Sequence, residues 1–251
     1  MLVVVRGPLL SVTGYGQHTR QVWRWAKSRG WDVRAQITPW GMCTYYINPD
    51  EENGLIGEIM EASGALPANV KPDLSLQVQL PDEWDPDMAN INIGITAGIE
   101  ADKCNPAWIE ACKKMDHVIV PSTYSKLSFI NGGLSKDHIT NVPESYTCTF
   151  EETSSYAEMT RRLDDLSTPF NFLIFGQITN GDLSTDRKNT LNMIKWICDE
   201  FKGDPEVGIV LKTNMGRLTC QDRMVTKRSI ENVISKLRSG PYPRIHIVHG
   251  L

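Results

Sequence analysis

Two spacings of apolar residues alternate along this chain. Short β-branched runs at 2–5, 32–37, 74–78, 91–96, 117–120 and 138–142 predict strands. Between them, helical patterns cover 17–29, 55–61, 106–115 and 123–130. Strand and helix in alternation predict a parallel sheet with helices on both faces. Local signals set several boundaries. Asn105 can cap a helix that opens on Pro106, where a missing N–H costs nothing, and Trp108, Ile109, Cys112 and Met115 then form its apolar stripe. Ser122 can cap the next helix, which Asn131-Gly132-Gly133 ends, and Gly30 stops the first one.

The pattern lapses between 143 and 168, a stretch with Pro143, many Ser and Thr, and the charged run Arg161-Arg162-Leu163-Asp164-Asp165. It then restarts with strands at 170–175, 207–212 and 244–248 and helices at 188–201 and 222–237. Leu191, Ile194, Ile197, Cys198 and Phe201 make one apolar helix face. The expected organisation is a first domain over 1–145, a connection over 146–168 and a second domain over 169–251. Three strands make a thin sheet, since a doubly wound nucleotide domain commonly has about five or six. The second domain is therefore expected to be incomplete, and its unfinished sheet edge to invite self-association.

Composition narrows the class. The apolar fraction of 41% supports a substantial core, and a net charge of −4 argues against a general nucleic-acid binder. No apolar run approaches the ~18 residues that span a bilayer. The six cysteines form no Cys-x-x-Cys pair, so reduced thiols in a cytoplasmic protein are expected, with room for peripheral membrane contact. His18, His117 and His138 lack metal-ligand spacing and read as structural.

In open parallel sheets, ligands bind beyond the carboxyl ends of the strands, and that is where the polar segments of this chain fall. Arg6 through Gly16 follows the first strand and leads into a helix. Its Gly14-Tyr15-Gly16 either presents free N–H groups to an anion such as a pyrophosphate or supplies glycines for turns. A nicotinamide cofactor is disfavoured: Thr19 stands at the third fingerprint position, and the second strand runs out into Gln36-Ile37-Thr38-Pro39 with no ribose-binding acid. In the second domain, Gly176 and Gln177 follow the first strand, Arg187 and Lys188 open a helix, Lys212-Thr213-Asn214 follow the next strand, and His249-Gly250 the last. The basic pair is either a diphosphate clamp or a solvated pair. On the first-domain side, Glu83, Trp84, Glu100 and Ser122 occupy equivalent ends. Carboxylates and an indole suit a sugar, while simple packing is the other reading of Trp84. Asp85-Pro86-Asp87 has the spacing of a metal-binding pair, but its proline argues for a loop, so no metal site is expected.

Taken in order, Gly14-Tyr15-Gly16, Gly98-Ile99-Glu100-Ala101-Asp102, Asn105 through Trp108, Met115 through Ser122, Phe175-Gly176-Gln177, Asp186 through Thr190 and Leu211 through Asn214 resemble the nucleotide-sugar glycosyltransferases of the GT-B fold, in the large retaining group called family 4 or group 1. The resemblance runs over nearly the whole chain. It implies an α/β chain of GT-B type: an N-terminal Rossmann-like, doubly wound domain on the acceptor side, followed by an incomplete second Rossmann-like domain on the donor side. It implies transfer of a sugar from a nucleoside diphosphate sugar to a carbohydrate or other hydroxyl acceptor, with retention and without a metal or other cofactor. Carried over, Gly14, Tyr15 and Gly16 would approach the donor diphosphate. Arg187 or Lys188 would neutralise the leaving group, with Glu100 also placed in the catalytic set. Gly176, Gln177, Lys212, Thr213, Asn214, His249 and Gly250 would line the donor, and Glu83, Trp84 and Ser122 the acceptor. The group's Glu-x7-Glu motif and final helix would lie beyond residue 251, which leaves catalysis by this chain alone in question. A non-catalytic module completed by a partner chain is the other function class open here.

Overall fold

A computed structural model of the chain describes residues 1–64, 66, 70–99, 101–146, 166, 168–178, 183–216, 219–238 and 240–249. The chain forms two compact units, Met1–Cys148 and Thr149–Leu251.

The first unit holds six parallel strands: β1 (Leu2–Gly7), β2 (Asp32–Ile37), β3 (Leu74–Val78), β4 (Ile91–Ile95), β5 (His117–Val120) and β6 (Ile139–Asn141). They lie in the order β2-β1-β3-β4-β5-β6. The order reverses direction between β1 and β3, so this unit has a topological switch point there. Val3 pairs with Val33 on one side and Leu74 on the other, which aligns the carboxyl ends of the three strands.

Helix α1 (Gly14–Ser28) covers one face of this sheet. It packs Trp23 and Ala26 on Val3, Val5, Val33, Ala35, Leu76 and Val78. On α2 (Leu55–Glu61), Leu55 and Ile59 join the same core. Helices α3 (Pro106–Lys114) and α4 (Thr123–Asn131) cover Val118, Val120 and Ile139 with Ile109, Cys112 and Phe129. The caps fall as the sequence indicates: Asn105 accepts from Ala107 N and Ser122 from Ser125 N. Gly30 and Gly133 take left-handed φ values of 72° and 104° just past α1 and α4.

One expected boundary moves. The first helix starts at Gly14 rather than at 17, because the Thr13 side chain accepts from Gly16 N and closes the first turn three residues early. Gly14-Tyr15-Gly16 is therefore helix, not loop.

The β3–β4 connection contains only a single 3-10 turn, Pro81–Glu83. Side chains from the sheet hold it instead. Buried Gln77 exchanges bonds with Asp85, Nε2 to the carbonyl at 2.6 Å and Oε1 from the N–H at 2.8 Å. Asn92 donates to the carbonyls of Pro86 and Ala89 and accepts from Ala89 N.

The second unit has a parallel sheet of three described strands in the order β7 (Phe170–Phe175), β8 (Val207–Thr213), β9 (Arg244–His249). Helices α5 (Thr190–Glu200) and α6 (Cys220–Leu237) bury Leu191, Ile194, Cys198 and Ile230 against Ile174, Ile209 and Leu211. Helix α5 starts at Thr190 rather than 188, since Asn189 takes a left-handed φ of 57° and breaks the helical path.

Candidate nucleotide-sugar site

The carboxyl end of β1 carries a loop in which five successive carbonyls, those of Gly7 to Ser11, accept hydrogen bonds. Gly7 O accepts from Leu9 N and Thr38 N, Pro8 O from Ser11 N, and Leu10 O from Tyr46 N. Leu9 O and Ser11 O both accept from Arg20 Nη1, at 2.8 and 2.9 Å. The first turn of α1 follows, and its opening N–H groups at Gly14 and Tyr15 have no intrahelical carbonyl to receive them. With acceptors engaged and donors left at a helix start, the loop presents positive polarity at the switch point.

The two glycines in that turn play different parts. A Cβ on Gly16 would sit 2.1 Å from Ser11 O, so Gly16 lets α1 close onto the loop. A Cβ on Gly14 would meet nothing within 4 Å. Gly14 therefore borders open space.

Tyr15 ties this turn to its neighbours. Its hydroxyl lies 2.9 Å from Thr96 Oγ1 and accepts from Ala97 N at 3.1 Å. Its ring stacks on Trp40 with centroids 4.3 Å apart. Burial pushes the phenol above its ordinary pKa, against the lowering effect of these hydrogen bonds. Ser125 Oγ in turn donates to Ala97 O at 2.8 Å, and Ser122 Oγ accepts from Ser125 N. Ser122 is thus engaged as a helix cap within a web that joins the ends of β1, β4 and β5.

Of the residues expected on an acceptor side, Glu83 is exposed, with Oε2 accepting from Leu80 N at 3.2 Å. Trp84 corrects an expectation: it is not an open platform for a sugar ring. It is 8% exposed, sits in the core, and covers Gly94 so closely that a Cβ there would lie 2.6 Å from the indole. The polar pins at Gln77 and Asn92 fix the loop that puts it there. Glu100 and Gly250 lie outside the described residues.

In the second unit, Gly176 N donates to Lys212 O, and a Cβ on Gly176 would come within 3.0 Å of Thr190 Oγ1. Its lack of a side chain serves the junction of β7 with α5. Gln177, Arg187 and Lys188 are exposed. Just before the basic pair, Asp186 is 6% exposed and its Oδ2 accepts from Leu191 N at 3.1 Å. This buried carboxylate already occupies the N-terminus of α5. Sequence reading missed its role, although its place one residue before Arg187-Lys188 was the available signal.

Lys212, Thr213 and Asn214 lie at the carboxyl end of β8, with Thr213 buried. Lys212 Nζ is buried with no hydrogen-bond partner among the described residues, and burial lowers its pKa. His249 ends β9 with its side chain 6% exposed, its Nε2 2.7 Å from Asp222 Oδ2 in the first turn of α6. These residues share the carboxyl edge of the second sheet, as their order in the sequence indicates.

Other polar residues fit structural roles. His18 pairs with Glu144 at 3.2 Å, and His138 Nε2 lies 2.9 Å from Cys112 O. Burial pushes the Cys112 thiol up to about 12, and the described cysteines are free.

The six-stranded parallel unit, followed by a unit with three described parallel strands, has the α/β fold of GT-B type. No protein-family model matches the chain, and no curated protein matches it. Among solved structures, the chain is similar to Anabaena HepE in complex with UDP-glucose, with TM-score 0.59 and 10% identity, covering 100% of this chain and 69% of that one. It is also similar to the lipopolysaccharide outer core galactosyltransferase WaaB in its apo form, with TM-score 0.52 and 10% identity, covering 100% of this chain and 68% of that one. At such identities the likeness is one of fold.

Proposed function

We propose that the chain is a glycosyltransferase, or the greater part of one, that moves a sugar from a nucleoside diphosphate sugar to a hydroxyl acceptor. The observation that carries this reading is the loop of engaged carbonyls leading into Gly14 at the β1/β3 switch point of a GT-B-type fold. Such a loop suits a diphosphate, and UDP is the first nucleotide to test, because HepE was solved with UDP, with UDP and glucose, and with UDP-glucose.

In transfer, the bond from the anomeric carbon to the donor's diphosphate oxygen breaks, a bond to the acceptor oxygen forms, and the acceptor hydroxyl's proton passes to the departing diphosphate or to water. Negative charge grows on the departing diphosphate, and stabilising it is the main electrostatic task. Arg187 and Lys188 are assigned that task in the second unit, and the N–H groups of Gly14 and Tyr15 are assigned separately as an anion-binding turn of the first. Lys212, Thr213, Asn214, Gln177 and His249 are assigned to the nucleotide side, and Glu83 and Ser122 to the acceptor side. Reaction with retention and without a metal belongs to the same proposal.

Calorimetric titration with UDP tests the reading. The parent chain is expected to bind, and Arg187→Ala with Lys188→Ala to abolish binding while the protein stays folded. Unchanged affinity in the double variant would sink the assignment of the pair.

A second reading rests on the sheet of the second unit. Among the described strands β9 pairs only with β8, and on β7 Leu173 and Phe175 are 67% and 74% exposed. A binding module that associates through this sheet would show concentration-dependent mass in sedimentation without binding nucleotide. No described helix is long and apolar enough to cross a membrane.

A further inference from the structure

Beneath the β1–α1 loop lies a charged cluster that the mechanism above does not use. Arg20 is 3% exposed, and it reaches out of α1 to hold two loop carbonyls with a single nitrogen. Its Nε lies 2.6 Å from Glu52 Oε1, and Arg24 Nη2 lies 2.7 Å from Glu52 Oε2. The Arg20 guanidinium also sits 5.0 Å from the centre of the Tyr46 ring, and Tyr46 N holds Leu10 O. Two cations thus share one carboxylate directly behind the loop.

Placing Glu52 there carries a backbone cost. Glu52, Asn53 and Gly54 all take positive φ, at 50°, 59° and 85°. The left-handed region is unfavourable for Glu, and a run of three needs tertiary contacts to hold it. The two arginine ion pairs with Glu52 are such contacts.

A buried cation stripped of water needs a partner, and Glu52 supplies one. The same carboxylate reduces the positive potential that Arg20 and Arg24 project through the loop. We propose that Arg20 is the positioning residue of the diphosphate loop and that Glu52 sets the loop's affinity for anions by partly neutralising it. Arg20 turns the Leu9 and Ser11 carbonyls away from the ligand side, and its net charge, shared with Arg24 and Glu52, adds to the positive end of α1. This inference rests on the donor reading above.

The test uses the full chain, titrated with UDP and separately with inorganic pyrophosphate at low and high salt. Glu52→Gln keeps the shape and acceptor oxygen while removing the charge. It is expected to tighten both ligands about fivefold at low salt, with the gain shrinking as salt screens it. Arg20→Met is expected to weaken both at least about tenfold, with Arg20→Lys recovering part of the loss through charge alone. A merely structural role for the cluster would not tighten binding in Glu52→Gln. Folding is checked by thermal melting, and Glu52→Gln carries the test if Arg20→Met does not fold. UDP binding by the parent chain that is unchanged or weaker in folded Glu52→Gln would overturn the inference alone. Failure of the parent chain to bind either ligand would overturn the donor reading and this inference with it.

Discussion

The Tyr15 hydroxyl lies 2.9 Å from Thr96 Oγ1, joining residues 81 positions apart across the switch point of the first sheet. It also accepts from Ala97 N, so a single phenol fixes the first turn of α1 to the end of β4. Tyr15→Phe keeps the ring on Trp40 but leaves the fully buried Thr96 hydroxyl short of a partner. The expected loss is about 1–2 kcal/mol in a denaturant titration. UDP affinity should fall with it, because the turn that offers its N–H groups is less firmly held. A variant with parent-like stability would show that the hydroxyl bond contributes nothing net.

Gly14 and Gly16 separate ligand approach from packing. Gly16→Ala puts a methyl group 2.1 Å from Ser11 O and 2.4 Å from Ser11 Oγ, so the loop must move. Overpacking of this kind costs about 1–3 kcal/mol. Gly14→Ala meets nothing within 4 Å and is expected to melt at or above the parent temperature. It should nevertheless weaken UDP, since its methyl points into the space a diphosphate would fill. Melting curves and calorimetry tell the two apart: Gly14→Ala is expected to lose affinity without losing stability, and Gly16→Ala to lose stability.

Trp84 offers a contrasting case. As a core residue packed on Gly94, its truncation to Ala should cost about 3–5 kcal/mol, and Gly94→Ala should also destabilise by collision with the ring. A folded Trp84→Phe variant should keep its affinity for acceptor sugars, because the indole faces the sheet. A selective loss of acceptor binding with intact stability would restore the platform role.

Strands were the most legible part of the sequence because they are short, apolar and β-branched: β2, β3, β5 and β7 have the bounds their hydrophobic runs predict. Helix starts were less so. The start of α1 depends on a Thr13 side-chain bond, and that of α5 on the left-handed Asn189, neither of which hydrophobic periodicity can encode. The candidate site was legible as polar segments after strands. What each residue does there was not. Glycine spacing cannot tell the packed Gly16 from the open Gly14, and no local pattern shows that Arg20, inside a helix, serves the loop. Nothing in the strand pattern singles out the buried Gln77 and Asn92, yet they carry a connection that has no α-helix of its own.

Lys212 gives a prediction that turns on pH. Its amine is buried with no hydrogen-bond partner among the described residues, and burial holds its pKa below the ordinary lysine value of 10.5. In the free protein, the unfolded chain therefore holds the proton more tightly than the native one. Stability should rise as pH increases from the lowered native pKa to the unfolded value, and Lys212→Met should abolish that rise while stabilising the protein at neutral pH. A bound diphosphate reverses the preference, because an anion favours the charged amine. UDP binding should then be accompanied by proton uptake near the lowered pKa, and affinity should decline as pH rises through it. Calorimetry in buffers of different ionisation enthalpy measures that uptake directly. If Lys212 meets the diphosphate, Lys212→Met loses both the uptake and much of the affinity. Parent-like affinity and proton uptake in that variant would remove Lys212 from the site.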